Sequence, residues 1–217
     1  MILYHCHDAR SFRVLWALEE LRLPYELRML PFPPRFHRRE YLKENPLGTI
    51  PLFIDGEVRM TESPAILQYL ATKHGAGSLA VAPDEPGYAA YLNALSFGEA
   101  TLTFPQAIHL RYSRLEREDR RQPKVAEDYA RWFQGRLVGL VPDHSGHMAA
   151  GRFTAADISV GYALHLAHET GLADRLTDTA SAYFERMKQR PAFQRALVAK
   201  QTGGEAQGVP HVRLSEL

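Results

Sequence analysis

The sequence predicts two folding units: a mixed α/β unit over residues 1–76 and an all-helical unit over 86–217, joined by a linker at 77–85. Three observations lead there. Up to His74, short apolar runs alternate with amphipathic stretches in the order βαβα then ββα. After His74 the composition shifts, and GAGSLAVAPDEPG carries Gly and Pro at both ends, as a linker does. From Tyr88 onward no stretch reads as a strand, and helical periodicity takes over.

In the first unit, Ile2 to Cys6 reads as a buried strand and Ser11 to Leu21 as a helix with Phe12, Leu15, Trp16 and Leu18 inward. A second strand fits Tyr25 to Met29, and the Pro- and Arg-rich stretch from Pro31 to Arg39 reads as a loop entering a short helix that ends near Glu44. Leu52 to Ile54 and Val58 to Met60 flank Asp55-Gly56, a strong hairpin turn. Pro64 to Lys73 closes the unit as a helix. This order implies a mixed sheet with helices on both faces, the thioredoxin-like pattern. In the second unit, helices are expected at about 86–115, 123–140, 155–170, 178–189 and 192–200. Pro105 should kink the first of them. Thr154 and Asp157 form a capping-box pair before Ile158, and Gly171 is a stop. The Gly-rich stretch near Gly203-Gly204 reads as a low-complexity tail.

Composition narrows the function classes. With 45% hydrophobic and 24% charged residues the chain is an ordinary globular protein. A net charge of +1 gives no reason to expect nucleic acid or an anionic membrane as partner. No apolar run reaches the roughly 18 residues that span a bilayer. The start, MILYHCHDAR, lacks the basic and apolar regions of a secretory leader. The single cysteine, Cys6, excludes an intrachain disulfide and fits a reducing cytoplasm. Ten histidines raise the question of a metal, but His5-x-His7 and His165-x-x-His168 lack an acidic or cysteine partner at metal-site spacing, so no metal is expected.

The chemistry concentrates in NPLGTIPLFIDGEVRMTESPAILQY, residues 45–69. Pro51 belongs at the first position of a strand, where a cis bond is plausible, and this leaves the Ile50 N–H and C=O open to an extended ligand backbone. Ser63 reads as a helix N-cap with Pro64 at the first helical position. The open N–H groups there offer a carboxylate site, and the adjacent Glu62 can pair an ammonium. Strand pairing, an anion site and a carboxylate together suit a short zwitterionic peptide.

This stretch resembles the glutathione-binding segment of the cytosolic glutathione transferases, and the resemblance covers nearly the whole chain. It implies that Ile50, beside a cis Pro51, pairs with the cysteinyl backbone of glutathione while Glu62 and Ser63 hold the γ-glutamyl end. It also implies a homodimer, glutathione as co-substrate, and a helical domain carrying the site for a small hydrophobic electrophile. Stabilising the thiolate by two pKa units takes about 2.7 kcal/mol. A hydrogen bond involving a charged group supplies about 1.5–3 and a helix N-terminus about 0.3–1, so one hydroxyl at a helix start suffices. Relatives place the activating group in or near the segment Asp8 to Arg13. Here the chain departs from them, with Ala9 where serine-type members carry serine and Arg10 where beta-class members carry cysteine; tyrosine-type members place their tyrosine at Tyr4. Ser11 is the hydroxyl nearest the helix start and the first candidate, with Arg10 assisting, Tyr4 as fallback, and Cys6 able to form a mixed disulfide. Arg39 or His37 is a plausible clamp for the glycyl carboxylate, and Thr49 stands where many bacterial relatives have lysine.

Among aromatic residues of the helical unit, Phe104, Tyr112, Trp132 and Phe133 are candidates for an electrophile pocket or for core. Glu99 falls in one apolar stripe with Tyr88, Leu92, Leu95 and Leu102 and needs a partner there; it is a candidate for the electrophile pocket, reaching the cleft or the subunit interface near the glutathione amine, or for a local hydrogen bond at the Pro105 kink. The run from Arg114 to Arg121 reads as a solvated helix end. Three activities remain open: conjugation of the glutathione thiolate to a hydrophobic electrophile; glutathione-dependent disulfide reduction or dehalogenation; and glutathione binding without turnover, which Ala9 makes credible.

Overall fold

A computed structural model describes residues 1–211 and 214. The chain divides into two compact units, Met1–Ala76 with Gln189–Val212, and Gly77–Lys188 with Arg213–Leu217.

The first unit is built on a four-stranded sheet of β1 (Ile2–His5), β2 (Glu26–Met29), β3 (Leu52–Asp55) and β4 (Val58–Met60), in the order β2-β1-β3-β4. β1 and β2 are parallel and the other pairs antiparallel, so the sheet is mixed as expected. Strand alternation sends Leu3 and His5 to one face and Tyr4 and Cys6 to the other, where they join Leu30, Tyr41 and Leu52 in a buried cluster. Helix α1 (Ser11–Leu21) buries every residue from Ser11 to Leu18. A short α2 (Pro34–His37) and a 3-10 turn (Arg39–Lys43) follow β2, and α3 (Ser63–Tyr69) continues into a π turn (Leu70–His74).

The second unit contains α4 (Tyr88–Ser96), α5 (Phe104–Leu110), α6 (Pro123–Arg136), α7 (Ala155–Glu169) and α8 (Asp178–Lys188). Helix α7 is buried from Ala155 to Ala167 and opens on the expected capping box, in which Ala156 N–H donates to Thr154 Oγ1 and Thr154 N–H to Asp157 Oδ2 at 2.8 Å. Gly171, at φ +78°, follows its end. Gly98 lets the first helical stretch close on α7, since a Cβ there would lie 2.5 Å from Ser159 Oγ.

Four expectations change. The linker residues Leu79, Ala80 and Val81 are buried in the second unit, and Leu79 C=O accepts from Ala155 N–H at 2.8 Å; apolar side chains inside a Gly/Pro frame pack rather than span. Helix α9 (Pro191–Ala206) runs six residues past its expected end and belongs to the first unit. Its glycines are contact residues, because a Cβ on Gly203 would meet Leu27 at 3.0 Å and one on Gly204 would meet His7 Nε2 at 2.5 Å. The stretch 88–115 is continuous but passes through a π turn (Phe97–Thr103) before the buried Pro105. Leu95 and Leu102 are buried while Leu92, on α4 before the turn, is 40% exposed, so the single stripe proposed for Glu99 does not form. Lastly, α3 starts at Ser63 with an extended Glu62 as its N-cap, one residue earlier than expected.

Candidate functional site

The sheet register gathers the site. Tyr4 opposite Leu52 and Phe53 opposite Met60 bring the end of β1, the start of β3 and the end of β4 to one edge. The loop from β1 into α1 and the entry to α3 therefore open on the same side as Ile50. Ala9 and Ile50 pack against one cluster, the one that holds Cys6.

Ile50 is presented by a tight turn. Asn45, 3% exposed, donates through Nδ2 to Thr49 C=O at 2.9 Å and accepts from Leu47 N–H at 3.1 Å. Tyr41 Oη donates to the same Thr49 carbonyl at 2.8 Å. Gly48 takes φ +61°, and a Cβ there would meet Arg35 Cβ at 2.8 Å. The Ile50-Pro51 bond is cis. Among the described residues, neither the N–H nor the C=O of Ile50 makes a hydrogen bond. An edge with both groups unpaired can accept one residue of extended backbone.

Two helix starts adjoin this edge. Ser63, 2% exposed, accepts at Oγ from Arg13 Nη1 at 3.2 Å, which ties the first turn of α1 to the first residue of α3. Arg13 is fully buried, a charge inside an apolar helix whose sequence signal was its place between Phe12 and Val14. Glu62 is exposed, and its carboxylate has no partner among the described residues. His37 and Arg39 are likewise exposed without a partner among the described residues, on α2 and the 3-10 turn after it.

The candidate hydroxyls lie elsewhere than at an open surface. Ser11 is fully buried, its Oγ 2.7 Å from Nδ1 of the equally buried His5. Burial pushes the His5 imidazole down to about 3, so the ring is neutral near pH 7. Tyr4, 7% exposed, accepts at Oη from Arg28 Nη1 at 2.7 Å. Cys6 is buried and its Sγ faces Pro31 C=O at 3.8 Å; burial pushes the thiol far above its ordinary range. What the loop exposes is Ala9 and Arg10, both half-buried. Ser11, the first residue of α1, makes no hydrogen bond at its N–H among the described residues, but it is fully buried and closed to a ligand. Arg10 precedes it in the N-cap position. A guanidinium at a helix start is an anion-stabilising arrangement.

In the second unit, Phe104 is 47% exposed and Trp132 45%, and both line an open cavity of about 380 Å³ with Phe97, Ala100, Thr101, Pro105 and Arg136. Phe133 is core, fully buried. Tyr112 lies under the Arg111 guanidinium, 5.4 Å from it, and neither Tyr112 nor Glu99 lines that cavity. Glu99 is half-buried within the π turn.

Residues 3–78 match the family model described as the glutathione S-transferase N-terminal domain. Glutathione S-transferase 3 of Schizosaccharomyces pombe is 34% identical over 102 residues, 47% of this chain and 42% of that protein; the match thus spans less than half of that relative's length. Glutathione S-transferase A of Pleuronectes platessa is 27% identical over 194 residues, 84% of each chain. A sphingomonad glutathione S-transferase solved in complex with glutathione superposes with a TM-score of 0.76 at 26% identity, covering 92% of this chain and 98% of the other.

Proposed function

We propose that the chain, whose residues 3–78 match the glutathione S-transferase N-terminal domain, is a cytosolic glutathione S-transferase that binds glutathione along the Ile50 edge and conjugates its thiolate to a hydrophobic electrophile. The observation that carries this reading is the pair of unbonded Ile50 main-chain groups at the sheet edge shared with the β1–α1 loop. An extended tripeptide pairs there through its cysteinyl residue. Its γ-glutamyl ammonium meets Glu62 and the α-carboxylate the start of α3 at Ser63, while the glycyl carboxylate meets Arg39 or His37.

The sulfur then faces the start of α1. With Ala9 lacking a hydroxyl and Ser11 and Tyr4 buried with their hydroxyls engaged inside the unit, thiolate stabilisation falls to the Arg10 charge at the start of α1. A hydrogen bond from the Arg10 guanidinium to the thiolate contributes about 1.5–3 kcal/mol and the helix start about 0.3–1, enough to lower a thiol pKa of about 8.5 by one to three units. Proton loss goes to bulk water, and the sulfur lone pair attacks the electrophilic carbon as its leaving group departs. Cys6, buried with a raised pKa, is a poor nucleophile for the alternative disulfide chemistry. Of the residues expected for the electrophile, Phe104 lines the cavity of the helical unit and carries that proposal, while Tyr112 and Glu99 stand outside it; a homodimer is proposed from the family.

Retention on immobilised glutathione, followed by turnover of a chloronitrobenzene, tests the reading. Retention with turnover is expected; no retention of folded protein overturns it, and retention without turnover reduces it to glutathione binding.

A further inference from the structure

The loop that would face the sulfur is held by the far end of the chain. Asp8, two residues before Arg10, is 1% exposed and takes φ +57°, a left-handed conformation that a non-glycine residue keeps only where its surroundings enforce it. Its Oδ1 accepts from Lys200 Nζ at 2.5 Å and its Oδ2 from His211 Nε2 at 2.6 Å. Burial alone would raise the Asp8 carboxyl, but His211 and Lys200 outweigh it and hold the group ionised. Beside it, His7 Nε2 lies 3.0 Å from Val209 C=O, and its ring packs on His211 at 4.9 Å between centroids.

The segment that supplies Lys200 and His211 is itself fixed. Gln207 pairs the exposed edge of β2 like an added strand residue, accepting from Met29 N–H at 2.9 Å and donating to Leu27 C=O at 2.9 Å. Phe193 packs edge-on against Trp16, and Arg190 and Arg195 pair with Glu20 and Glu19 on α1. Thus α9 and the chain after it form a base anchored to the sheet and to α1, and Asp8 is where that base grips the β1–α1 loop.

We infer that Lys200 and His211 are positioning residues: acting through Asp8, they set the main chain of Ala9 and Arg10 so that Arg10, at the start of α1, meets the sulfur of bound glutathione. The inference rests on the glutathione reading above. It separates positioning from binding, because the clasp touches neither Ile50, Glu62 nor Ser63. Loss of the clasp should therefore lower kcat and raise the pKa of the bound thiol by about one unit, a loss of thiolate that approaches tenfold at pH below the bound pKa, where the glutathione Kd should change less than about twofold.

The test compares His211→Leu, His211→Gln and Lys200→Met with Arg195→Gln, which cuts an α9–α1 ion pair away from the loop. Two readouts are taken: hydrogen exchange at the Ala9 to Phe12 amides, and the ultraviolet titration of bound thiolate. Expected are at least tenfold faster exchange confined to the loop and a raised thiol pKa in His211→Leu, rescue in His211→Gln, which keeps a donor, and neither effect in Arg195→Gln. Should Lys200→Met fail to fold, the two His211 variants decide alone. His211→Leu with wild-type loop exchange and thiol pKa, whatever its melting temperature, overturns the inference. If wild-type protein binds no glutathione, the functional reading fails by itself, and loop exchange still decides whether the clasp orders Ala9 to Ser11.

Discussion

Removing the Ser11 hydroxyl should cost stability and leave the chemistry nearly untouched. The hydroxyl is 2.7 Å from His5 Nδ1, and both residues are fully buried. His5 Nε2 already has no partner among the described residues, so Ser11→Ala leaves a buried ring with neither nitrogen satisfied. An orphaned buried acceptor costs about 1–3 kcal/mol. At a urea slope near 3 kcal/mol/M, the unfolding midpoint should fall by about 0.3–1 M. The Arg10 charge and the helix start proposed to face the thiolate survive the substitution, so the bound thiol pKa should move by less than about 0.3 units, about 0.4 kcal/mol. Arg10→Gln is the counterpart; it removes a charge beside the sulfur and should raise that pKa by about 1 unit with little change in the urea midpoint. Urea unfolding followed by tryptophan fluorescence and the ultraviolet titration of bound thiolate read the two quantities separately. A thiol pKa raised by about a unit or more in Ser11→Ala, at unchanged stability, would return the activating role to the hydroxyl and refute the Arg10 account; a shift in Tyr4→Phe alone would return it to the tyrosine.

Acid should weaken the fold through His5. Its folded pKa, near 3, lies below the unfolded 6.5, so its share of stability is complete above pH 6.5 and is lost as pH falls towards 3. From pH 7 to 5 that amounts to about 2 kcal/mol, and His5→Gln, which keeps an oxygen for Ser11, should flatten this part of a stability-against-pH curve. Glu62→Ala and Ser63→Ala should each weaken glutathione about tenfold in calorimetry while remaining folded; unchanged affinity in both removes that end of the site. Gly204→Ala should destabilise by about 1–3 kcal/mol, because its Cβ would sit 2.5 Å from His7 Nε2 and 2.7 Å from Val209 C=O. Gly135→Ala in α6, with nothing within 4 Å, should instead stabilise by up to about 1 kcal/mol, and thermal melts that reverse this ranking would contradict the packing described.

The strands, the hairpin and α1 were legible in the sequence because local signals and tertiary packing agree there: short apolar runs, Asp55-Gly56, and an apolar stretch from Phe12 to Leu18. Ile50-Pro51 was legible for the same reason, a proline at a strand entry having few other uses. The linker at Leu79 to Val81 was misread because Gly and Pro report turns and not whether the residues between them are buried. Gly203 and Gly204 read as a loose tail since a glycine needed for close approach leaves the same mark as a flexible one. The π turn before Pro105 was invisible to a stripe analysis that assumes constant helical register. Least legible was the polar scaffold. Ser11 was read as a free hydroxyl because its partner, His5, lies across the start of α1, and Asp8 drew no notice because Lys200 and His211 follow nearly two hundred residues later. Pairings at such separation leave no periodic trace in a single sequence.

A crystal soaked with glutathione tests the central claim most directly. The expected result is the cysteinyl N–H and C=O within about 2.7–3.2 Å of the Ile50 carbonyl and amide, the γ-glutamyl ammonium beside Glu62, and the sulfur beside Arg10 at the start of α1. Ordered glutathione that leaves both Ile50 main-chain groups unpaired, or that lies away from the β1–α1 loop, would contradict it.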